Sequence, residues 1–211
     1  MARLTRSAIV EAAFAQLAEG GLTSITARRL AERLGVQAGA LYYHLPDMAA
    51  LQDEMATVIV QELNDAPVVD LPWDDFLRAS AAHVRRVLLS YRDGAAIFSG
   101  TYLTDDAALG SMEAPLRTLT SAGFTLADAV RALQTLAAFV TGYVIEEQHR
   151  LGAPERYTAA LRHARIDASV YPLSDAASEV FLDDTFDWGV DALVAGIAVR
   201  LSVPPPAATS T

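Results

Sequence analysis

"ITARRLAERLGVQAGALYYHLPDMAAL", residues 25–51, decides how this chain is read. Thr26 can cap a helix through its side-chain oxygen, and Leu30 and Leu34 stand four residues apart behind it, facing inward. Gly35 supplies a turn at no steric cost. A third short helix is expected over 37–43. Pro46 then stops the chain. Asp47 caps a fourth helix to about Leu63, with Met48, Leu51, Met55, Val58, Ile59 and Leu63 on its apolar face. Short helix, glycine turn, short helix over 26–44 is a helix-turn-helix layout, whose second helix enters the major groove. Ala38, Gly39 and Ala40 would let that helix's backbone approach the bases and leave room for a thymine methyl. Tyr42, Tyr43 and His44 would donate hydrogen bonds to phosphates at the groove edge. Arg28 is placed to reach a guanine edge or a phosphate. A helical hairpin with surface tyrosines and no ligand fits the same spacing.

Composition bounds the rest. Of 211 residues, 52% are hydrophobic, enough for a real core. The absence of cysteine excludes disulfides and thiolate metal sites and makes a reducing cytoplasm the expected compartment. The N-terminal stretch carries acidic residues inside its apolar pattern, so no signal peptide is expected. No run reaches the roughly 20 apolar residues of a membrane span, and no membrane partner is expected. A net charge of −10 argues against nucleic acid until it is mapped. Residues 1–50 hold five arginines against four carboxylates, and the remaining 11 basic residues face 22 acidic ones. The acidity therefore belongs to the C-terminal part.

Helical periodicity dominates, and the fold class expected is all-α. Ile9, Val10, Ala13, Phe14 and Leu17 stripe a first helix over about 5–19, capped by Thr5 and ended by Gly20-Gly21. "NDAPVVDLP" reads as a linker. Helices are expected over 73–91, 105–122 and 125–149, with "RDG" breaking the first of these. Residues 152–182 are poorly patterned, Asp184 caps a last helix to about Leu201, and the tail from 204 reads as disordered. Residues 132–145 carry no charge. The last helix sets Phe186, Val190, Leu193, Val194, Ile197 and Leu201 beside small Ala192, Ala195, Gly196 and Ala198. Two helices apolar nearly all round are covered more easily by a second copy across a two-fold axis than within one chain, although a monomeric core is the alternative.

The quoted stretch resembles the DNA-binding head of the tetracycline-repressor (TetR) family, whose pattern is an Ala-Leu pair before a glycine turn, then "LY.H" and a capped helix. "LLSYRDGAAIFSGT" (88–101), "SAGFTLADAV" (121–130) and "FVTGYVIEEQ" (139–148) resemble the ligand-binding core of the tetracycline repressors. The resemblance implies a homodimer with a three-helix head at 1–46, a ligand-binding and dimerisation domain at 47–203, and a palindromic operator. It places Arg28 at a base- or phosphate-contacting position, Tyr42 and His44 on the phosphate side, and Tyr43 where another aromatic stands. Arg6 joins the expected phosphate contacts. Ala38, Gly39 and Ala40 replace larger base-reading side chains, so Gln37 becomes the reader by default, and Met48 replaces a phosphate-binding lysine. At the metal-side positions of the drug pocket the chain has Phe98, Thr101 and Glu146, and Phe98 stands in place of a histidine. Asn64, Ser80 and Val84 occupy the drug-contacting positions, Pro115 replaces a glutamine, and Tyr143 and His83 are further candidates. The cavity is thus expected to be kept and its chemistry changed, favouring a metal-free, more apolar effector over a tetracycline–Mg²⁺ complex.

The four histidines show no zinc spacing, and there is no nucleophile elbow, phosphate loop or dinucleotide fingerprint, so neither metal, cofactor nor catalytic residue is expected. Three functions remain: a repressor released by a small molecule, a DNA-binding regulator without effector, and an all-helical enzyme using Glu146 as base, for which no nucleophile or cofactor motif is present.

Overall fold

The computed structural model describes residues 4–65, 70–100, 110–180 and 184–202. Eleven α-helices and two 3₁₀ turns are seen among the described residues, and no strand. The backbone divides into two compact units, residues 1–145 and 146–211.

The first unit opens with α1 (Arg6–Gly20), and the cap is the one expected: the Thr5 hydroxyl accepts from the Ala8 amide. Ile9, Val10, Ala13 and Leu17 are buried, whereas Phe14 is only half-buried. After a 3₁₀ turn over Leu22–Ser24 comes α2 (Ala27–Leu34), capped by Thr26 onto the Arg29 amide. Gly35 follows at φ 66, ψ 33, the left-handed region where a Cβ is penalised. The third helix, α3 (Ala38–Leu41), is shorter than the 37–43 expected, because Tyr42–His44 continue as a turn. Asp47 accepts from the Ala50 amide and starts α4 (Met48–Asn64), which buries Leu51, Met55 and Ile59. Met48, Val58 and Leu63 are only partly covered. α2 packs on α1 and α3, and α1 also packs on α4.

α5 (Trp73–Ser90) buries Leu77, Ala81, Val87 and Leu88. A tight turn then leads into α6 (Gly94–Phe98), a five-residue helix that the periodicity does not predict. Gly94 is required there, because a Cβ would sit 2.5 Å from the Leu88 carbonyl oxygen. α4 packs against both α5 and α6. The expected helix at 105–122 is seen as α7 (Glu113–Ser121), and its expected start lies outside the described residues. α8 (Leu126–Gly152) runs longer than expected and buries Ala129, Ala132, Leu136, Val140 and Val144, one residue in every turn.

The last residues of α8 open the second unit. The segment after them resolves into a 3₁₀ turn (Pro154–Arg156), α9 (Ala159–His163) and α10 (Pro172–Ala176). Helices this short carry little stability of their own. The His163 ring meets the Asp175 carboxylate at 2.6 Å, joining α9 to α10. In α11 (Phe186–Ser202) the Asp184 carboxylate accepts from the Phe186 amide, as a cap should. Phe186, Val190 and Val194 are buried, while Trp188 is 76% and Val199 64% exposed, and Ala192, Ala195 and Gly196 lie open beside them. The expected tail from residue 204 lies outside the described residues.

Candidate nucleic-acid interface and its connection to the core

The head presents a surface of few charges. Ala38 and Gly39 are exposed on α3, Gln37 stands exposed at its N-cap, and Ala40 is partly covered. Leu41 and Leu45 are buried and anchor α3 from beneath. Tyr43 is 95% exposed and Tyr42 49%, while His44 is half-buried. An aromatic ring left almost wholly in water gains nothing from hydrophobic burial, so its cost is consistent with a contact made to another molecule.

The head arginines are less free than the sequence suggests. Arg28 donates to Glu32 one helical turn on, at 2.9 Å, with both side chains mostly in solvent. Arg33 pairs with Glu19. Arg6 donates to Glu54 at 2.9 Å and to the His44 carbonyl at 3.1 Å. Arg29, to which the sequence alone assigns no role, is exposed and pairs with no carboxylate among the described residues. The i,i+4 spacing of Arg28 and Glu32 could have revealed the first pairing. The others join residues too distant in sequence for any local pattern to show.

Three consecutive residues between α5 and α6 fasten the head to the helices behind it. The Tyr91 ring lies 5.1 Å from Phe14 of α1, and its hydroxyl donates to Glu62 of α4 at 2.6 Å. Burial first, then the Glu62 carboxylate, pushes the Tyr91 phenol up to about 12. Arg92 donates to the Glu19 carbonyl at 3.0 Å, serving one of the α1 carbonyls that have no partner within the helix. The Asp93 carboxylate accepts from the Leu22 amide at 2.7 Å. Asp93 itself sits at φ 53, the left-handed region, which Asp tolerates better than most residues.

The expected effector residues are spread over several elements. Asn64 ends α4 and is exposed, and Ser80 and Val84 are half-buried on α5. His83 reaches back to α4: its Nε2 lies 3.1 Å from the Leu63 carbonyl and its Nδ1 2.6 Å from Arg86. A carbonyl can only accept and a guanidinium can only donate, so these contacts call for the neutral Nε2–H tautomer. Tyr143 on α8 lies 5.8 Å from Phe139 and under the Arg85 guanidinium at 5.7 Å. α5 is therefore in contact with both the end of α4 and Tyr143. Phe98 is half-buried at the end of α6 and Pro115 half-buried on α7. Glu146 is exposed in the second unit, and Thr101 lies outside the described residues.

Comparison with known proteins agrees with this architecture. Residues 9–55 match the family of bacterial regulatory proteins, tetR family, and residues 68–201 match the tetracyclin repressor-like C-terminal domain. The tetracycline repressor protein class D of Escherichia coli is 35% identical over 210 residues, covering 96% of this chain and 93% of that protein. A possible TetR family transcriptional regulator from Streptomyces coelicolor superposes with a TM-score of 0.82 at 33% identity, over 92% of this chain and 99% of that one. A variant of TetR from Acinetobacter baumannii AYE, crystallised with minocycline, gives 0.72 at 33% identity, over 95% and 100%. The chain belongs to the TetR family of bacterial transcriptional regulators.

Proposed function

We propose that this chain is a transcriptional repressor that binds a palindromic operator as a homodimer and is released by a small-molecule effector. The observation that carries the proposal is the Tyr91–Asp93 turn. It bonds at once to α1, to the turn after α1 and to α4, so a change at the effector-side helices is transmitted to the reading head. The required coupling is modest, about 1–3 kcal/mol or roughly 5–150-fold in operator affinity.

In this reading residues 1–46 form the head and 47–203 the ligand-binding and dimerisation domain. Two heads stand about 34–36 Å apart, one turn of DNA. Arg28 and Gln37 read base edges, while exposed Tyr42 and Tyr43, with His44, hold phosphates. The bare stretch Ala38–Ala40 gives the backbone its close approach. The exposed apolar strip of α11, with Trp188 and Val199 beside small residues, supports closure by a second copy. For the effector we favour a metal-free, mainly apolar molecule bordered by Asn64, Ser80, Val84, Phe98 and Tyr143. The phenyl ring of Phe98 has no lone pair to offer Mg²⁺, so the residues present do not fit a drug–metal complex.

The test is selection of bound duplexes from a random library, followed by the mass of the complex. Enriched sequences should share an inverted repeat and bind two chains per repeat. Enrichment of lone half-sites, each binding one chain, would contradict the proposal. A regulator without effector is distinguished by a compound screen against the selected duplex, in which no compound weakens binding.

A further inference from the structure

Arg6 is the first residue of α1, and its guanidinium spans three elements. Nη1 donates to Glu54 Oε1 on α4 at 2.9 Å, and Nη2 donates to the His44 carbonyl, in the turn that closes α3, at 3.1 Å. An exposed arginine beside a reading head invites assignment to a DNA phosphate. Two features of the bracket oppose that. Its charge is already met by a carboxylate, which would itself repel an approaching phosphate, and one N–H on each of its arms is already committed.

What the bracket supplies instead is orientation. α3 has four residues and no side-chain N-cap, so it owes little of its direction to its own backbone bonds. Burial of Leu41 and Leu45 sets its depth. A fixed guanidinium on the carbonyl of His44 ties the end of the α3 turn to α4, the helix that runs back to Glu62 and Asn64.

We infer that Arg6 is a positioning residue that acts together with Glu54, holding the recognition element in register with α4 rather than neutralising an operator phosphate. The inference rests on the reading of α3 as the recognition helix. Arg6 and Glu54 form one unit, so removing either partner should cost about the same and removing both should cost no more.

The test measures binding of the full-length chain to a duplex carrying its selected inverted repeat, over a range of salt concentrations. The variants are Arg6→Gln, Glu54→Gln and the double variant. Positioning predicts that each single variant weakens binding about five- to tenfold, at the low end of coupling between sites. The double variant should match the singles, and the slope of log affinity against log salt should match that of the original chain. Arg6→Lys should not restore affinity, because an ammonium keeps the charge but lacks the two-armed fork. A direct role on a phosphate predicts a shallower slope, by about 0.9 for each phosphate no longer neutralised, with Glu54→Gln binding as well as or better than the original chain. That result overturns the inference, and so does unchanged affinity in all variants. Failure of the unaltered chain to bind any inverted repeat would instead count against the proposed function. Both residues are at the surface, and equal melting temperatures would show that the variants fold.

Discussion

Asp93 offers the sharpest perturbation of the link between head and core. Its carboxylate accepts from the Leu22 amide at 2.7 Å in a part-buried setting, across 71 residues of sequence. A hydrogen bond from an amide to a charged acceptor contributes about 1.5–3 kcal/mol. Asp93→Asn keeps an acceptor of the same shape and tolerates the left-handed backbone equally well, so it loses only the charge and should cost about 1 kcal/mol. Asp93→Ala loses the acceptor and places a poorly suited residue at φ 53, for a combined cost of about 2–4 kcal/mol. Asp93→Gly separates the two effects, because glycine accepts the backbone but offers no carboxylate. The assay is amide hydrogen exchange over the Leu22–Ser24 turn, read beside thermal unfolding. Where the 3₁₀ turn opens locally, exchange should quicken in the order Asn, Gly, Ala. Each 1.4 kcal/mol is worth about tenfold in rate. Equal protection of the Leu22 amide in the original chain and in Asp93→Ala would mean that the bond carries no energy and does not hold the turn.

Three further outcomes are expected. The contribution of the raised Tyr91 phenol to folding stability is constant below about pH 10 and falls between about 10 and about 12, because the unfolded chain loses that proton first. Solvent screening should keep the fall well under about 3 kcal/mol, and it should be absent from Tyr91→Phe, so equal alkaline profiles would contradict the link to Glu62. Arg28→Ala should weaken operator binding by about 1–3 kcal/mol and relax preference at one base pair, which a repeated selection with the variant would reveal. Tetracycline with Mg²⁺ should leave the operator complex intact in a gel shift, and clean release would show the reading of Phe98 to be wrong.

How much of the molecule is legible in its sequence depends on how far apart the cooperating residues lie in the chain. Thr5, Thr26 and Asp47 announce their helices because a cap bonds to an amide three residues on. Gly35 marks the turn because its backbone needs a left-handed residue. α6 escapes the pattern because five residues are too few for periodicity, and its start depends on Gly94 fitting against the Leu88 carbonyl. α3 is shorter than expected, since its apolar and small residues do not say where the helix gives way to a turn. The contacts that give the head its orientation, Arg6 with Glu54 and Asp93 with Leu22, join residues 48 and 71 positions apart. No local pattern encodes them, so in the sequence Arg6 reads simply as an exposed cation.

Regulation of this kind requires two reading heads held at one fixed separation. The most direct test is to widen the gap between the half-sites of the selected operator and measure affinity at each spacing. Inserting about five base pairs turns the second half-site to the opposite side of the duplex, and binding should fall to the level of a single half-site. Affinity that stays the same at every spacing would mean that the heads act independently, and a ligand-controlled separation could then regulate nothing.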